Sequence, residues 1–190
     1  MSRADTPTDE ELLRAFGAGD PSAAALLVAR LAPRVLAVAR RLLADPAEAE
    51  DVTQEAMMRL WKMAPDWQQE GAQVSTWLHR VTVNLAMDRL RRRGRGVALD
   101  AIAEPEAPAP QVVEAMIQGD RMAALETALA ALPDRQRAAV VLRHIEGLSN
   151  PEIAARLEVG VEAVESLTAR GKRRLAQLLA GRRAELGYER

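Results

Sequence analysis

Apolar residues recur three and four positions apart along most of the chain, and no stretch alternates apolar with polar for long enough to form a strand. The pattern predicts an all-α protein. Thr8 to Glu11 has the spacing of a capping box and opens a short helix with Leu12, Leu13 and Phe16 on its buried side, stopping near Gly17 and Gly19. Asp20-Pro21 opens a long second helix that turns Leu27, Val28, Leu31, Val35, Val38 and Leu42 inward. Pro33 lies inside this helix and is expected to kink or split it, because proline lacks the N–H of the helical ladder. Asp45-Pro46-Ala47-Glu48 is a strong start signal, with Asp at the N-cap and Pro at the first helical position. A third helix follows to about Met63, then a polar loop, Pro65 to Gln73, around Trp67. A fourth helix runs from about Val74 to Arg93, ended by Gly94 and Gly96.

Val97 to Gln111 carries Asp100, Glu104, Glu106, Pro105, Pro108 and Pro110 with little to bury, which is the composition of a flexible linker. It divides the chain into a helical domain at 1–96, a linker at 97–118 and a second helical domain at 119–190. In the second domain Met122, Leu125, Leu129 and Leu132 form one stripe, and Leu132-Pro133-Asp134 restarts the chain for a helix with Val141, Leu142 and Ile145. Gly147 ends that helix. Ser149 to Glu152 is another capping box, before a short helix with Ile153 and Leu157. After a break at Glu158-Val159-Gly160, a last helix carries Val164, Leu167, Leu175 and Leu178. A short capped helix, a tight break and a longer helix with a basic end make a helix-turn-helix pattern, whose second helix can enter the DNA major groove. The same pattern also fits a small helical bundle with a solvated basic face.

Composition narrows the chemistry. The 190 residues include no cysteine, which excludes disulfide scaffolds, thiolate zinc sites and cysteine nucleophiles, and the two histidines, His79 and His144, leave no histidine-rich metal centre. No phosphate-binding glycine loop and no nucleophile elbow is present, so neither an enzyme nor a cofactor or small-molecule substrate is expected. The acidic N-terminal stretch lacks the pattern of a signal peptide, and no window is read as a membrane helix, so a cytoplasmic protein without membrane insertion is expected.

Formal net charge is only −1, so what matters is where the charges sit. Arg80, Arg89, Arg91, Arg92, Arg93 and Arg95 form one basic cluster; Arg170, Lys172, Arg173, Arg174, Arg182 and Arg183 form a second. On the third helix Asp51, Gln54 and Glu55 share one face while Val52, Ala56 and Leu60 share another. This acidic and amide face suits a basic partner helix or plain solvent. Trp77, Arg80, Asn84, Asp88 and Arg91 line one stripe of the fourth helix, beside the apolar stripe of Val74, Leu78, Val81 and Leu85. An aromatic ring, an arginine and an asparagine together can stack on a separated base, hold its phosphate and read its edge. They also admit a structural account, with Trp77 in the core and Asp88 paired to Arg91 or Arg92.

These pieces, in this order, resemble the extracytoplasmic-function (ECF) group of sigma factors. The resemblance is carried by Asp45 to Glu55, by Thr76-Trp77-Leu78-His79-Arg80 through Asn84 to Arg91, and by Leu132-Pro133 through Gly147-Leu148-Ser149. It implies two helical domains that mount on RNA polymerase core, recognise two promoter DNA elements and help to open the promoter. Asp51, Gln54 and Glu55 would dock on the β′ clamp helices. Trp77, Arg80, Asn84, Asp88 and Arg91 would meet the minus-ten element, with a turned-out base captured near Asn84 and the loop Ala64 to Gln73. Glu165, Ser166, Arg170, Lys172, Arg173 and Arg174 would meet the minus-thirty-five element. An anti-sigma factor is also implied. Glu162 and Glu165 depart from the basic residues common early in that recognition helix, and Gly171 interrupts it at a cost of about 1 kcal/mol. A stand-alone helix-turn-helix regulator is the second reading.

Overall fold

The computed structural model describes residues 6–67, 73–95 and 117–180. It contains eight α-helices and one 3-10 turn, and no strand is found among the described residues: α1 (Asp9–Gly17), α2 (Pro21–Leu43), α3 (Pro46–Met63), the turn Ala64–Asp66, α4 (Val74–Arg95), α5 (Ile117–Ala130), α6 (Asp134–His144), α7 (Asn150–Leu157) and α8 (Val161–Ala180). The described residues form two compact units, one from residues 6–40, 45–67 and 73–86, the other from residues 41–44, 87–95 and 117–180. Residues 96–116, which hold most of the linker expected at 97–118, lie outside the described residues, as do Arg182 and Arg183. Ile117 and Gln118, expected in the linker, belong to α5.

In the first unit the helix starts follow the sequence signals. Thr8 and Glu11 form the capping box of α1, and the Asp45 carboxylate accepts the Glu48 N–H at 3.0 Å to open α3 behind Pro46. The start of α4 has a cap that no local pattern reveals: Glu10, on α1, accepts the Val74 N–H at 3.0 Å. A carboxylate there satisfies an orphan donor and meets the positive end of the helix dipole. The core is Leu13, Leu27, Leu31, Val35, Val52, Ala56, Leu60, Val74 and Leu78, all buried.

Several expectations for α2 and α4 need correction. The long helix α2 is not split at Pro33 but runs through it from Pro21 to Leu43. Pro33 and Ala29 are both exposed, so water can take the Ala29 carbonyl that the proline cannot satisfy. Val28, placed inward by periodicity, is 44 % exposed, and Ala39 and Leu43 are buried on α2 instead. α4 continues through Gly94, and its buried side takes Thr82, Val83, Ala86 and Met87, whereas Val81 is only half-buried. Thr82 can be buried because its hydroxyl donates to the Leu78 carbonyl at 2.8 Å. α2 also meets the length and apolarity required to cross a membrane, with a mean hydropathy of 1.6, contrary to expectation. Its buried residues Leu27, Leu31 and Val35 belong to the core of the first unit, and Leu42 is buried in the second.

In the second unit α6 and α7 pack on α8, around Val141, Leu142, Ile153, Leu157 and Val164. Ile145, expected inside, is 40 % exposed, and so is Met122 at 47 %. Ile145 lies one residue past the end of α6, where the helical period no longer aims side chains at the core. Arg137 is the largest fully buried side chain. It donates to the carbonyls of Leu42, Leu43 and Leu132, each at 3.0 Å, and pairs with Asp134 at 2.5 Å. Burial pushes its pKa down and Asp134 opposes that shift. Leu42 and Leu43 end α2, so the guanidinium caps carbonyls that have no partner inside their own helix.

Gly171 lies mid-helix for a steric reason. A Cβ there would stand 2.6 Å from Val140 Cγ2 and 3.2 Å from the Gln136 carbonyl oxygen, so its absence lets α8 cross α6 closely. The glycine interrupts the helical pattern of the sequence but not the helix, which runs unbroken to Ala180.

Candidate nucleic-acid interface

On α3 the buried positions Val52, Ala56, Met57 and Leu60 leave Asp51 and Gln54 exposed and Glu55 half-exposed on the other side. Glu55 pairs with Arg59 one turn later at 2.7 Å. Met58 lies one turn beyond Gln54 on the same side and is 49 % exposed. The sequence reading missed this methionine; an apolar residue between Gln54 and Lys62 was the available signal. A carboxylate face around an exposed, adaptable methionine suits a protein partner with a cationic rim.

Along α4 the structure brings Trp77, Arg80 and Asn84 to one side of the first unit, with Arg80 and Asn84 exposed and Trp77 half-buried. Trp77 does not stand alone. Trp67 meets it edge-on, with ring centroids 6.4 Å apart and planes at 81°, so the turn after α3 supplies a second aromatic wall. Trp61, by contrast, packs against Phe16 with ring centroids 4.8 Å apart and planes tilted by 55°, and belongs to the packing of α1 on α3. The loop residues 68–72, expected to help form a base pocket, lie outside the described residues.

The remaining members of that stripe, Asp88 and Arg91, fall in the second unit and bind one another. Arg91 also donates to the Arg156 carbonyl at 3.1 Å and lies 3.6 Å from Glu158. Asp88 and Arg91 are thus engaged within the protein, as the structural account of the stripe anticipated. Arg93 is held as well, by the Leu43 carbonyl at 3.3 Å and Asp134 at 3.5 Å.

The helix pair α7 and α8 has the geometry expected of a helix-turn-helix. Glu152 accepts from both the N–H and the hydroxyl of Ser149, at 2.8 and 2.6 Å, which holds its carboxyl below the usual carboxylate range. The break between the helices uses Glu158 in the left-handed region, φ 54°, where glycine is the ordinary choice; Gly160 does not have this conformation. Val164 and Gly171 are the buried positions of α8. Glu165, Ser166, Arg170, Lys172 and Arg173 are exposed, and Arg174 is half-buried toward the packed side. Glu165 lies 3.4 Å from the Asn150 amide, and Arg170 donates to the Ser166 carbonyl, also at 3.4 Å. The outward surface of α8 is therefore acidic in its first turns and basic in its later ones. Beside it lie Arg143 and His144 at the end of α6, which the sequence reading did not connect with this surface.

Two family models match the chain, sigma-70 region 2 over residues 27–96 and sigma-70 region 4 over residues 122–175. The ECF RNA polymerase sigma factor SigM of Mycobacterium tuberculosis is 38 % identical over 178 residues, covering 90 % of this chain and 85 % of that protein. The chain belongs to the ECF RNA polymerase sigma factors. SigE of Mycolicibacterium smegmatis is 40 % identical over 166 residues, 84 % of this chain; the match spans 62 % of that relative's length. Among solved structures, the sigma factor RpoE of Bartonella quintana, in complex with the anti-sigma factor NepR, is similar at 25 % identity and a TM-score of 0.49, covering 82 % of this chain and 96 % of that one. In this sigma factor the acidic side of α3 and the Trp67–Trp77 pair fall within region 2, and α7 and α8 within region 4. The stand-alone regulator is not favoured, because a region 2 has no place in it.

Proposed function

We propose that this sigma factor holds RNA polymerase core through Asp51, Gln54 and Glu55, captures a minus-ten base beside Trp77, Arg80 and Asn84, and grips the minus-thirty-five duplex along α8. Asp88 and Arg91 complete the minus-ten side, Arg91 by exchanging its internal partners for phosphate. Glu165 and Ser166 face bases, Arg170, Lys172 and Arg173 face the backbone, and Arg174, half-buried toward the packed side, reaches it from the edge. The domains that do this are 1–96 and 119–190, joined by the segment 97–118, whose last two residues already belong to α5. The observation that carries the reading is the division of exposed charge: acid on α3, base on the later turns of α8, with an aromatic pair and an exposed asparagine between them in sequence.

The mechanism follows from energies. Unstacking a base costs a few kcal/mol and stacking it on an aromatic ring returns about 1 to 3, so capture alone does not open a duplex. Mounting both domains on one polymerase raises the effective concentration of the second contact once the first has formed, and supplies the rest. No covalent step is assigned to this chain, which acts in the cytoplasm beside polymerase. An anti-sigma factor, the partner in the RpoE–NepR complex, is the proposed restraint.

In vitro transcription with purified core tests the reading. Promoter-specific transcripts are expected only when the chain and core are both present. Tight, sequence-specific duplex binding by the free chain, with no stimulation of core, would instead establish a stand-alone regulator.

A further inference from the structure

The end of α6, the first residue of α7 and one side of α8 enclose an open cleft of about 540 Å³. Arg143 and His144 come from α6, Asn150 from α7, and Glu165, Lys172 and Arg173 from α8. Arg143 is fixed there by donating to the Leu148 carbonyl at 3.0 Å. The cleft therefore sets three permanent cations against one carboxylate, Glu165, which the Asn150 amide binds at 3.4 Å. The imidazole of His144 is the one lining group whose charge changes near neutral pH.

We infer that His144 receives a backbone phosphate of the promoter duplex in this cleft and takes up a proton as it does so, making duplex binding by the holoenzyme stronger in mildly acidic solution. The inference rests on the reading of α8 as the duplex-binding helix and adds a residue outside the helix pair. Its direction follows from the surroundings of the imidazole. In the free chain His144 titrates below the ordinary histidine value, first through burial, then through Lys172 and Arg143. A phosphate arriving among Arg143, Lys172 and Arg173 cancels part of that repulsion and favours the imidazolium, which can donate to the phosphate. Glu165, the carboxylate among the described residues that line the cleft, is present before and after binding and so does not set the direction of the change. Binding coupled to proton uptake strengthens as pH falls.

The experiment measures the affinity of the assembled holoenzyme for a duplex carrying the minus-thirty-five element, at fixed ionic strength, from pH 6 to pH 8. The wild type is expected to bind about fivefold tighter at the acid end. His144→Gln should lose that response and bind at the weak level throughout. His144→Arg should lose it too and bind at the tight level, which separates loss of charge from loss of fold. Methylphosphonate replaced at single positions along the duplex should abolish the wild-type response at one phosphate only. A pH response unchanged in both variants, or one that survives every methylphosphonate, overturns the inference. The parent reading is judged separately: Arg170→Ala with Arg173→Ala must weaken duplex binding at every pH, and if it does not, α8 is not the duplex reader.

Discussion

The exposed sides of α3 and α8 are opposites built on the same helical plan. Each buries one stripe, Val52, Ala56 and Leu60 on α3 and Val164 and Gly171 on α8, and leaves the other exposed. On α3 that other side is Asp51, Gln54 and Glu55 around an exposed methionine, which suits a cationic protein surface that can also bury apolar area. On α8 it is Arg170, Lys172 and Arg173 beyond an acidic first turn, which suits a phosphate backbone with base edges at its near end. On the proposed reading the partner is selected by what each helix leaves outside, since both inward stripes serve only packing within their own unit. It also suggests how to separate the functions: a change on one helix should leave the other's binding intact.

The largest effect expected is on α3. Asp51→Lys combined with Glu55→Lys places like charges against the cationic partner surface, at a cost of several kcal/mol, so core affinity should fall on the order of 100-fold. Fluorescence anisotropy with labelled chain measures it. Circular dichroism checks that the loss of the Glu55–Arg59 pair has not unfolded α3. An equal loss of affinity after Arg170→Ala and Arg173→Ala would erase the distinction between the two helices.

Next is Asn84→Ala, which removes an exposed amide from the side of α4 that carries Trp77. A specific base-edge contact is worth about 1 to 3 kcal/mol, so promoter opening, followed by permanganate reactivity of the melted bases, should slow by about tenfold. Core binding should be unchanged. If both fall together, Asn84 supports the fold of region 2 and does not read a base.

Much of this was legible in the sequence because the signals are local. Capping boxes at Thr8–Glu11 and Ser149–Glu152 and the Asp45-Pro46 start fixed helix starts that the structure reproduces. What escaped depends on contacts between different elements. Glu10 caps α4 across 64 positions, Trp67 walls Trp77 from another element, and Arg137 serves the end of α2. Periodicity also misplaced Val28 and Ile145, since it describes an ideal continuing helix and not the neighbours available to cover each face. Gly171 was the most misleading position. Read along the chain it is a weak point of α8, whereas in three dimensions it is where α6 passes.

Gly171→Ala tests that last point. The added methyl gains about 1 kcal/mol of helix propensity but meets Val140 and the Gln136 carbonyl, and overpacking of this kind costs about 1 to 3 kcal/mol. A net loss of about 1 kcal/mol is expected from urea denaturation. Because the strain falls between α6 and α8, duplex binding should weaken with it while the α3 surface keeps its affinity for core. A stabilised variant would mean the two helices can move apart freely, and the close crossing would not be what the glycine is for.

The smallest effect should be shared by both units, which is why it sharpens the comparison. Asp20 at the start of α2 and Glu152 at the start of α7 both have carboxyl pKa values lowered chiefly by a serine, Ser22 in one case and Ser149 in the other. A carboxylate whose folded pKa is depressed contributes stability that is present above its unfolded value, about 4, and is lost as pH falls through the lower folded value. Acid should therefore loosen the two units alike, although their exposed faces differ. Ser22→Ala and Ser149→Ala should each lower the urea midpoint at pH 7, and each deficit should shrink as the pH is brought below the folded values of these carboxyls. The double variant should show the sum, since the two serines belong to separate units with no shared partner. A deficit that stays constant into acid would show that the hydroxyls act by capping alone, independent of the charge they hold. A sum that fails would mean that the two units report on one another.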